Sequence, residues 1–330
     1  MVGLLGATAG GLLLGVVGVL AAASVIAAVL RARMGARNPE LIGNLVQRIG
    51  AWWAMVAVLA AVLALGETAT LLLFLVLTWL SLREFLTISP TGRADHRTLV
   101  WLFFVVTPLH YWFVWEHWYG MFSVFIPVYA FLFLPVRAAL AGRTEGFLRR
   151  AAAVQWAAMV CVYAVSHIPA VLQLPVAMEH GRHVAEGSAP GSGDEAGALL
   201  LLFLLLVVQG SDVFQYVWGK TLGRRPIAPS VSPNKTWEGF VGGVLTATAL
   251  GAALSFLTPF PWWVAALFAF VSCLLGFGGG LVMSAIKRDR GIKDFGSLIP
   301  GHGGIMDRVD GILPAGAATW MFLWALPVIA

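Results

Sequence analysis

The chain has 330 residues, of which 59% are hydrophobic and 11% charged, with a formal net charge of +5. A soluble domain carries about 25% charged residues, so the composition excludes an ordinary soluble enzyme and points to a lipid-embedded helical protein. The two cysteines, Cys161 and Cys273, stand in apolar stretches with no metal or disulfide spacing and read as buried free thiols.

Apolar runs long enough to cross a bilayer, roughly 17–25 residues, are expected near 4–30, 49–66, 68–82, 98–114, 118–136, 151–173, 197–219, 239–258, 262–284 and 311–329. The fold class is therefore an all-α polytopic integral membrane protein with nine to ten transmembrane helices, ten being the count the runs favour. No basic residue precedes Arg31, so the first run lacks the charged leader of a cleavable signal peptide and is expected to be a retained span. Two regions follow: residues 1–196, with about six helices and the external loop 174–196, and residues 197–330, which hold the chemistry-bearing motifs.

Charge sets the orientation. The loops 31–48, 83–97, 137–150, 220–238 and 285–310 are alternate connections, and they carry 20 of the 21 lysines and arginines. The positive-inside rule assigns them to the cytoplasm and both termini to the other side. Arg182 stands alone in 174–196, an acidic Gly/Ser-rich segment that reads as a flexible linker, with His180 and His183 solvated within it. Trp112, Trp115 and Trp118 read as an interfacial aromatic belt, and His110 and His167 as packed histidines. Glu84, beside Arg83 at a span end, is expected to pair or snorkel there.

Three features carry chemistry. Asp212 lies inside an apolar run with Gln209, Ser211 and Gln215 nearby; a carboxylate there is costly and faces a polar cavity by default. The loop 220–239 mixes Lys220, Arg224, Arg225 and Lys235 with Ser230, Ser232 and Thr236, the partners phosphate oxygens need; the glycines of a Walker A loop are absent. The run from Ser284 to Asp310 packs four acids, five bases and a histidine into 27 residues. Asp294, Asp307 and Asp310 are oxygen donors suited to magnesium, and Lys287, Arg288, Lys293 and Arg308 supply cations. The turn Pro300–Gly304 lets backbone approach a phosphate closely. Interleaved carboxylates and cations in a dry site suit phosphoryl or nucleotidyl transfer.

The spacing Ser284-x-x-Lys287-Arg288, Lys293-Asp294-x-Gly296 and Pro300-x-His302-Gly303-Gly304-x-x-Asp307-Arg308-x-Asp310 resembles the signature of the phosphatidate cytidylyltransferases, or CDP-diacylglycerol synthases. Ser232-Pro233-x-Lys235-Thr236-Trp237-Glu238-Gly239 is similar to a second segment of that family. The resemblance covers roughly 210–310. It departs at Asp212, where Val213-Phe214-Gln215-Tyr216 replace the family's usual small residue and aromatic.

The resemblance implies transfer of CMP from CTP to phosphatidate in the bilayer, releasing pyrophosphate, with one or two magnesium ions at a cytoplasmic site of a multi-pass protein, as in a bacterial inner membrane. Asp294, Asp307, Lys293 and Arg308 would be catalytic, and Asp212, Asp294, Asp307 and Asp310 would hold metal. Ser232, Lys235, Thr236, Ser284, Lys287, Arg288 and His302 would bind substrates, His302 as a hydrogen-bond donor to pyrophosphate. No nucleic-acid partner is expected, and homo-oligomerisation is left open. Three alternatives stand beside this reading. One is the same transfer to a different lipid phosphate. Another is a CDP-alcohol phosphatidyltransferase, whose Asp-Gly-x-x-Ala-Arg run is missing here. The third is a polytopic transporter with a path past Asp212 and Glu84.

Overall fold

The computed structural model describes residues 7–34, 39–174 and 195–325; His180 and His183 lie outside them. Helices α1 (Ala7–Met34), α2 (Pro39–Leu65) and α3 (Glu67–Ile88) are followed by three long helical segments, α4 (Arg93–Trp115), α5 (Tyr119–Ala139) and α6 (Phe147–Gln173). Then come α7 (Glu195–Leu222), a short hairpin of β1 (Pro226–Ala228) and β2 (Ser232–Thr236), α8 (Trp237–Ala253), α9 (Trp262–Asp289), a single turn α10 (Met306–Val309) and α11 (Ile312–Ala325). The protein is an all-α polytopic membrane protein, with one two-stranded antiparallel hairpin inside the loop expected at 220–239.

Eight of the described helices are long and apolar enough to cross a bilayer. The runs expected at 239–258 and 311–329 also form helices, but α8 has 17 residues and α11 has 14 described residues. Several helices overrun their apolar stretches. Arg48 lies on α2, Lys220 on α7, and Lys287 and Arg288 on α9. Long basic side chains permit this, because their stems stay in apolar surroundings while the charged ends reach outward.

Helices α6 and α7 are the innermost spans, whereas α1 and α2 present mostly apolar outer surface. Cys161 and Cys273 are both free and buried. His110 and His167 are packed as expected: His110 Nε2 lies 2.9 Å from Ser166 Oγ, and His167 Nδ1 lies 2.6 Å from the carbonyl of Tyr163. Trp112, Trp115 and Trp118 are exposed near the turn between α4 and α5.

The contact of α7 with α8 positions the site and depends on small residues. Gly239, Gly242 and Gly243 of α8 press against Gln215 and Trp218 of α7. A side-chain carbon on Gly242 would stand 2.6 Å from the Trp218 ring, and one on Gly239 would stand 2.8 Å from the carbonyl of Gln215. Thr236 starts α8 by accepting a hydrogen bond from the amide of Gly239 at 3.2 Å. Its hydroxyl also fills the space over Gly223 of the preceding turn. Glu238 accepts from the amides of Arg224 and Arg225 at 3.0 and 3.1 Å, pinning the hairpin to the helix start.

Gly243→Val should overpack this contact, because the new side chain would collide with the Cα and backbone nitrogen of Gln215. Overpacking costs about 1–3 kcal/mol, so the purified variant should melt several degrees below wild type in the same detergent, and unchanged melting would refute the tight approach.

Candidate active site

Five charged residues from four segments meet at one end of the α7–α8–α9 bundle. Asp212 comes from α7, Lys235 from β2, Lys287 from the last turns of α9, and Arg308 and Asp310 from α10 and its edge. Asp212 lies on an uncovered face of α7, and its Oδ2 stands 3.4 Å from where a side-chain carbon on Gly311 would be, next to Asp310. Asp310 Oδ1 accepts the amide of Gly311 at 2.8 Å. Burial pushes the Asp310 carboxyl up, to about 6; Asp212 adds to the rise, while Lys287 and Arg308 oppose it. Burial pushes the Lys235 ammonium down, and Asp212 and Asp310 pull it back up. The sequence motifs at Asp212 and at 230–239 are thus brought beside the 284–310 run.

Glycines of α9 make this convergence possible. A side-chain carbon on Gly280 would meet Lys235 Nζ at 3.1 Å, and one on Gly279 would meet the carbonyl of Asp310 at 2.6 Å. Lys235 Nζ also lies 4.5 Å from the centre of the Phe277 ring, a cation–π arrangement that holds the ammonium without neutralising it.

Asp307 sits differently. It is buried, and both oxygens are occupied: Oδ1 pairs with Lys287 Nζ at 2.8 Å, and Oδ2 accepts the amides of Phe295 and Gly304 at 2.8 and 3.0 Å. Gly303 (φ 84°) is required here, since a side-chain carbon would lie 2.8 Å from Asp307 Oδ2. Asp307 therefore anchors the loop. Asp294 and Lys293 are both exposed, and a side-chain carbon on the same Gly303 would press on Asp294 Cβ at 3.2 Å.

The remaining sequence candidates divide in the same way. Arg288 donates to the carbonyls of Val231 and Ile292 at 3.3 and 3.2 Å, tying the hairpin to the loop. Ser284 bonds back to the carbonyl of Gly280 at 2.7 Å, and Thr236 is the helix cap described above. Ser232, half-buried, lies on β2 near Lys235. The Arg308 Nε is buried without a hydrogen-bond partner among the described residues, a donor left over for an incoming anion. Burial, with Arg308 and Arg48 adding to it, holds the His302 imidazole below its ordinary range, so it is neutral near pH 7.

Sequence reasoning missed three residues. Glu84 neither pairs with Arg83 nor snorkels. Its carboxylate accepts the amides of Ile305 and Met306 at 3.0 and 2.9 Å, capping the α10 turn from α3. It also fills the volume left by two glycines, since a side-chain carbon on Gly296 would lie 2.7 Å from Glu84 Oε1 and one on Gly304 would collide with the same carboxylate. Arg48 donates to the carbonyl of Gly301 at 3.2 Å, and Trp52 meets the His302 ring edge-on at 6.2 Å. The turn under these contacts has Pro300 and then Gly301 (φ 73°) at its centre, closed by the amide of His302 on the carbonyl of Ile299 at 3.0 Å. A carboxylate just past the apolar run of α3, on a helix that continues to Ile88, was the available signal for Glu84.

Glu84→Ala should strand two amides at about 1–3 kcal/mol each and lower the melting temperature by several degrees. Glu84→Gln, which keeps one acceptor oxygen, should fall between it and wild type. Equal melting of all three would contradict the cap.

Residues 46–326 match the model of the cytidylyltransferase family. The uncharacterized protein YnbB of Escherichia coli (strain K12) is 37% identical over 279 residues, which cover 84% of this chain and 87% of that protein. The phosphatidate cytidylyltransferase of Mycobacterium leprae (strain TN) is 48% identical over 135 residues, 40% of this chain and 42% of that enzyme. That of Brucella abortus (strain 2308) is 41% identical over 132 residues, 39% of this chain and 49% of the enzyme. The match to these two enzymes thus spans less than half of their length, whereas the family model covers the described structure from within α2 onward. By that match the chain belongs to the cytidylyltransferase family.

Proposed function

We propose that this membrane protein transfers CMP from CTP to phosphatidate, giving CDP-diacylglycerol and pyrophosphate. The observation that carries the reading is the convergence of Asp212, Lys235, Lys287, Arg308 and Asp310, from four separate segments, on one polar centre in an otherwise apolar helical bundle. Membership of the cytidylyltransferase family and the named mycobacterial and Brucella relatives support it. The positive-inside rule supports a cytoplasmic position for the basic loops and for the site beside them, where CTP would be met.

A phosphate monoester is already a nucleophile, so no residue has to activate it covalently. An oxygen of the lipid phosphate forms a bond to the α-phosphorus of CTP as the bond from that phosphorus to the bridging oxygen breaks, and pyrophosphate carries the electrons away. The obstacle is the meeting of two polyanions. Lys235, within electrostatic reach of Asp212 and Asp310, would clamp one phosphate, and the Nε of Arg308, unpaired among the described residues, would donate to another. His302, neutral, would donate a hydrogen bond to the departing pyrophosphate rather than act as a base.

The donor set fits magnesium. That ion keeps several waters and takes one or two carboxylates together with substrate phosphates, and Asp212 and Asp310 supply two such carboxylates. Among the described residues no group of three or more His, Cys, Asp or Glu side chains could hold a metal ion, so waters and the phosphates of CTP would have to supply the remaining ligands. When bound, the ion would neutralise charge on the triphosphate. Asp307, with both oxygens engaged, would keep Lys287 and the loop in place.

The test is incubation of the purified protein with radiolabelled CTP, magnesium and a panel of lipids: phosphatidate, an ether-linked analogue and an isoprenoid phosphate. Label should pass into the lipid phase with phosphatidate, one pyrophosphate should be released per CDP-lipid, and chelation of divalent ions should stop the reaction. No labelled lipid with any acceptor would overturn the reading, and label with the isoprenoid phosphate alone would reassign the substrate. Asp310→Asn should fold normally and lose activity by about 10²-fold or more, the scale for removing one transition-state electrostatic contact.

A further inference from the structure

A second recess lies on the same face, lined by none of the five residues of the carboxylate centre. It is an apolar cleft of about 520 Å³ between the end of α3, the start of α6 and the end of α9, walled by Phe85, Ala153, Trp156 and Ile286. Arg149 and Arg290 stand at its rim. Arg149 also lines an adjoining polar recess of about 270 Å³ beneath the 90–92 and 143–146 turns, together with Arg143 and Arg150.

The three arginines of that recess are not equivalent. Arg150 is buried and committed to structure, with Asp95 Oδ2 at 3.1 Å and the carbonyl of Arg143 at 2.8 Å. Asp95 in turn accepts the amide of Gly92 at 2.9 Å, which fixes the 90–95 turn. The Arg143 guanidinium lies beside that turn, its Nη1 within ordinary contact distance, 3.8 Å, of where a side-chain carbon on Gly92 would stand. Among the described residues the Arg143 guanidinium pairs with Glu145 alone, in an exposed contact at 3.0 Å. Arg149 is exposed and forms no hydrogen bond or ion pair with any described residue. Across the cleft, Arg290 is paired with Asp289 at 3.3 Å. An uncommitted guanidinium therefore stands where an apolar cleft of ligand-pocket size, roughly 300–1,000 Å³, opens into a cationic recess.

We propose that this pair of recesses is a binding site for an anionic glycerophospholipid, with its phosphate at Arg143 and Arg149 and an acyl chain in the cleft. Guanidinium groups match phosphate geometry, and an acyl chain is the apolar body that reaches a cleft at the ends of spans directly from the bilayer. A soluble anion would leave the apolar walls bare, and a zwitterionic lipid would bring its own cation to an already cationic recess. The occupied cleft would also back the active site. Phe85 follows Glu84 and stacks on Phe295 with ring centres 6.2 Å apart, and Ile286 precedes Lys287, the partner of Asp307.

Native mass spectrometry of the full-length protein in detergent, without CTP, tests this with dioleoyl phosphatidylglycerol, dioleoyl phosphatidylcholine and glycerol 3-phosphate as probes. Phosphatidylglycerol should be retained in preference to phosphatidylcholine. The double variant Arg143→Gln/Arg149→Gln should lose about tenfold or more in its retention, the scale for hydrogen bonds to a charged group. Ala153→Trp, which fills the cleft, should lower retention with both arginines intact, and Asp310→Asn should leave it unchanged, which separates this site from the transfer centre. Melting temperatures identify the variants that fold, and Arg149→Gln alone, at an exposed position, is the fallback. Equal retention of the two lipids, displacement of the lipid by equimolar glycerol 3-phosphate, or wild-type retention by the folded arginine variants would overturn the proposal.

Discussion

The buried carboxylate of Asp307 holds together the part of the molecule where the charges gather. It takes one ammonium from α9 and two amides from the 295–304 loop. A buried charge left without partners is strongly destabilising, so the loop has to close around it. Glu84 does the same from the other side, crossing from α3 to cap the α10 turn. Two carboxylates thus fix the position of Arg308 and Asp310 before any substrate arrives. Four glycines surround them, Gly296, Gly303, Gly304 and Gly301, and the first three are placed where a side-chain carbon would strike Glu84 or Asp307.

A second constraint brings the other half of the site into range. α8 can lie close along α7 because its glycines admit Gln215 and Trp218, and α9 can admit Lys235 and the carbonyl of Asp310 because Gly279 and Gly280 carry no side chains. The result is a pair of carboxylates, Asp212 and Asp310, with Lys235 and other cations within electrostatic reach. In the proposed reaction the first pair of carboxylates shapes the site, whereas the second meets the metal and the phosphates.

Much of this was legible in the sequence for simple reasons. Long apolar runs mark helices, and eight of the described ones are long enough to cross a bilayer. The clustering of charge in the 284–310 run, with its family spacing, marked the site, and Asp212 and Lys235 do join it. The less legible features depend on partners far away in the chain. Glu84 binds backbone amides more than two hundred residues later, and amides leave no mark in a sequence. Asp307 looked like the other aspartates of its run, because spacing does not reveal which carboxylate will be enclosed by the loop. Thr236 has the chemistry of a phosphate ligand and of a helix cap, and only the start of α8 at Trp237 decides that it caps the helix. The hairpin was hidden by its prolines, which suit edge strands as well as loops.

The central claim is this division of labour among the carboxylates. Its most direct measurement is the electron paramagnetic resonance of manganese(II), used in place of magnesium, bound to the purified protein with CTP present. The account predicts that Asp310→Asn removes the bound-manganese signal while Glu84→Gln, in protein that still folds, retains it. Undiminished manganese binding by Asp310→Asn would contradict the account.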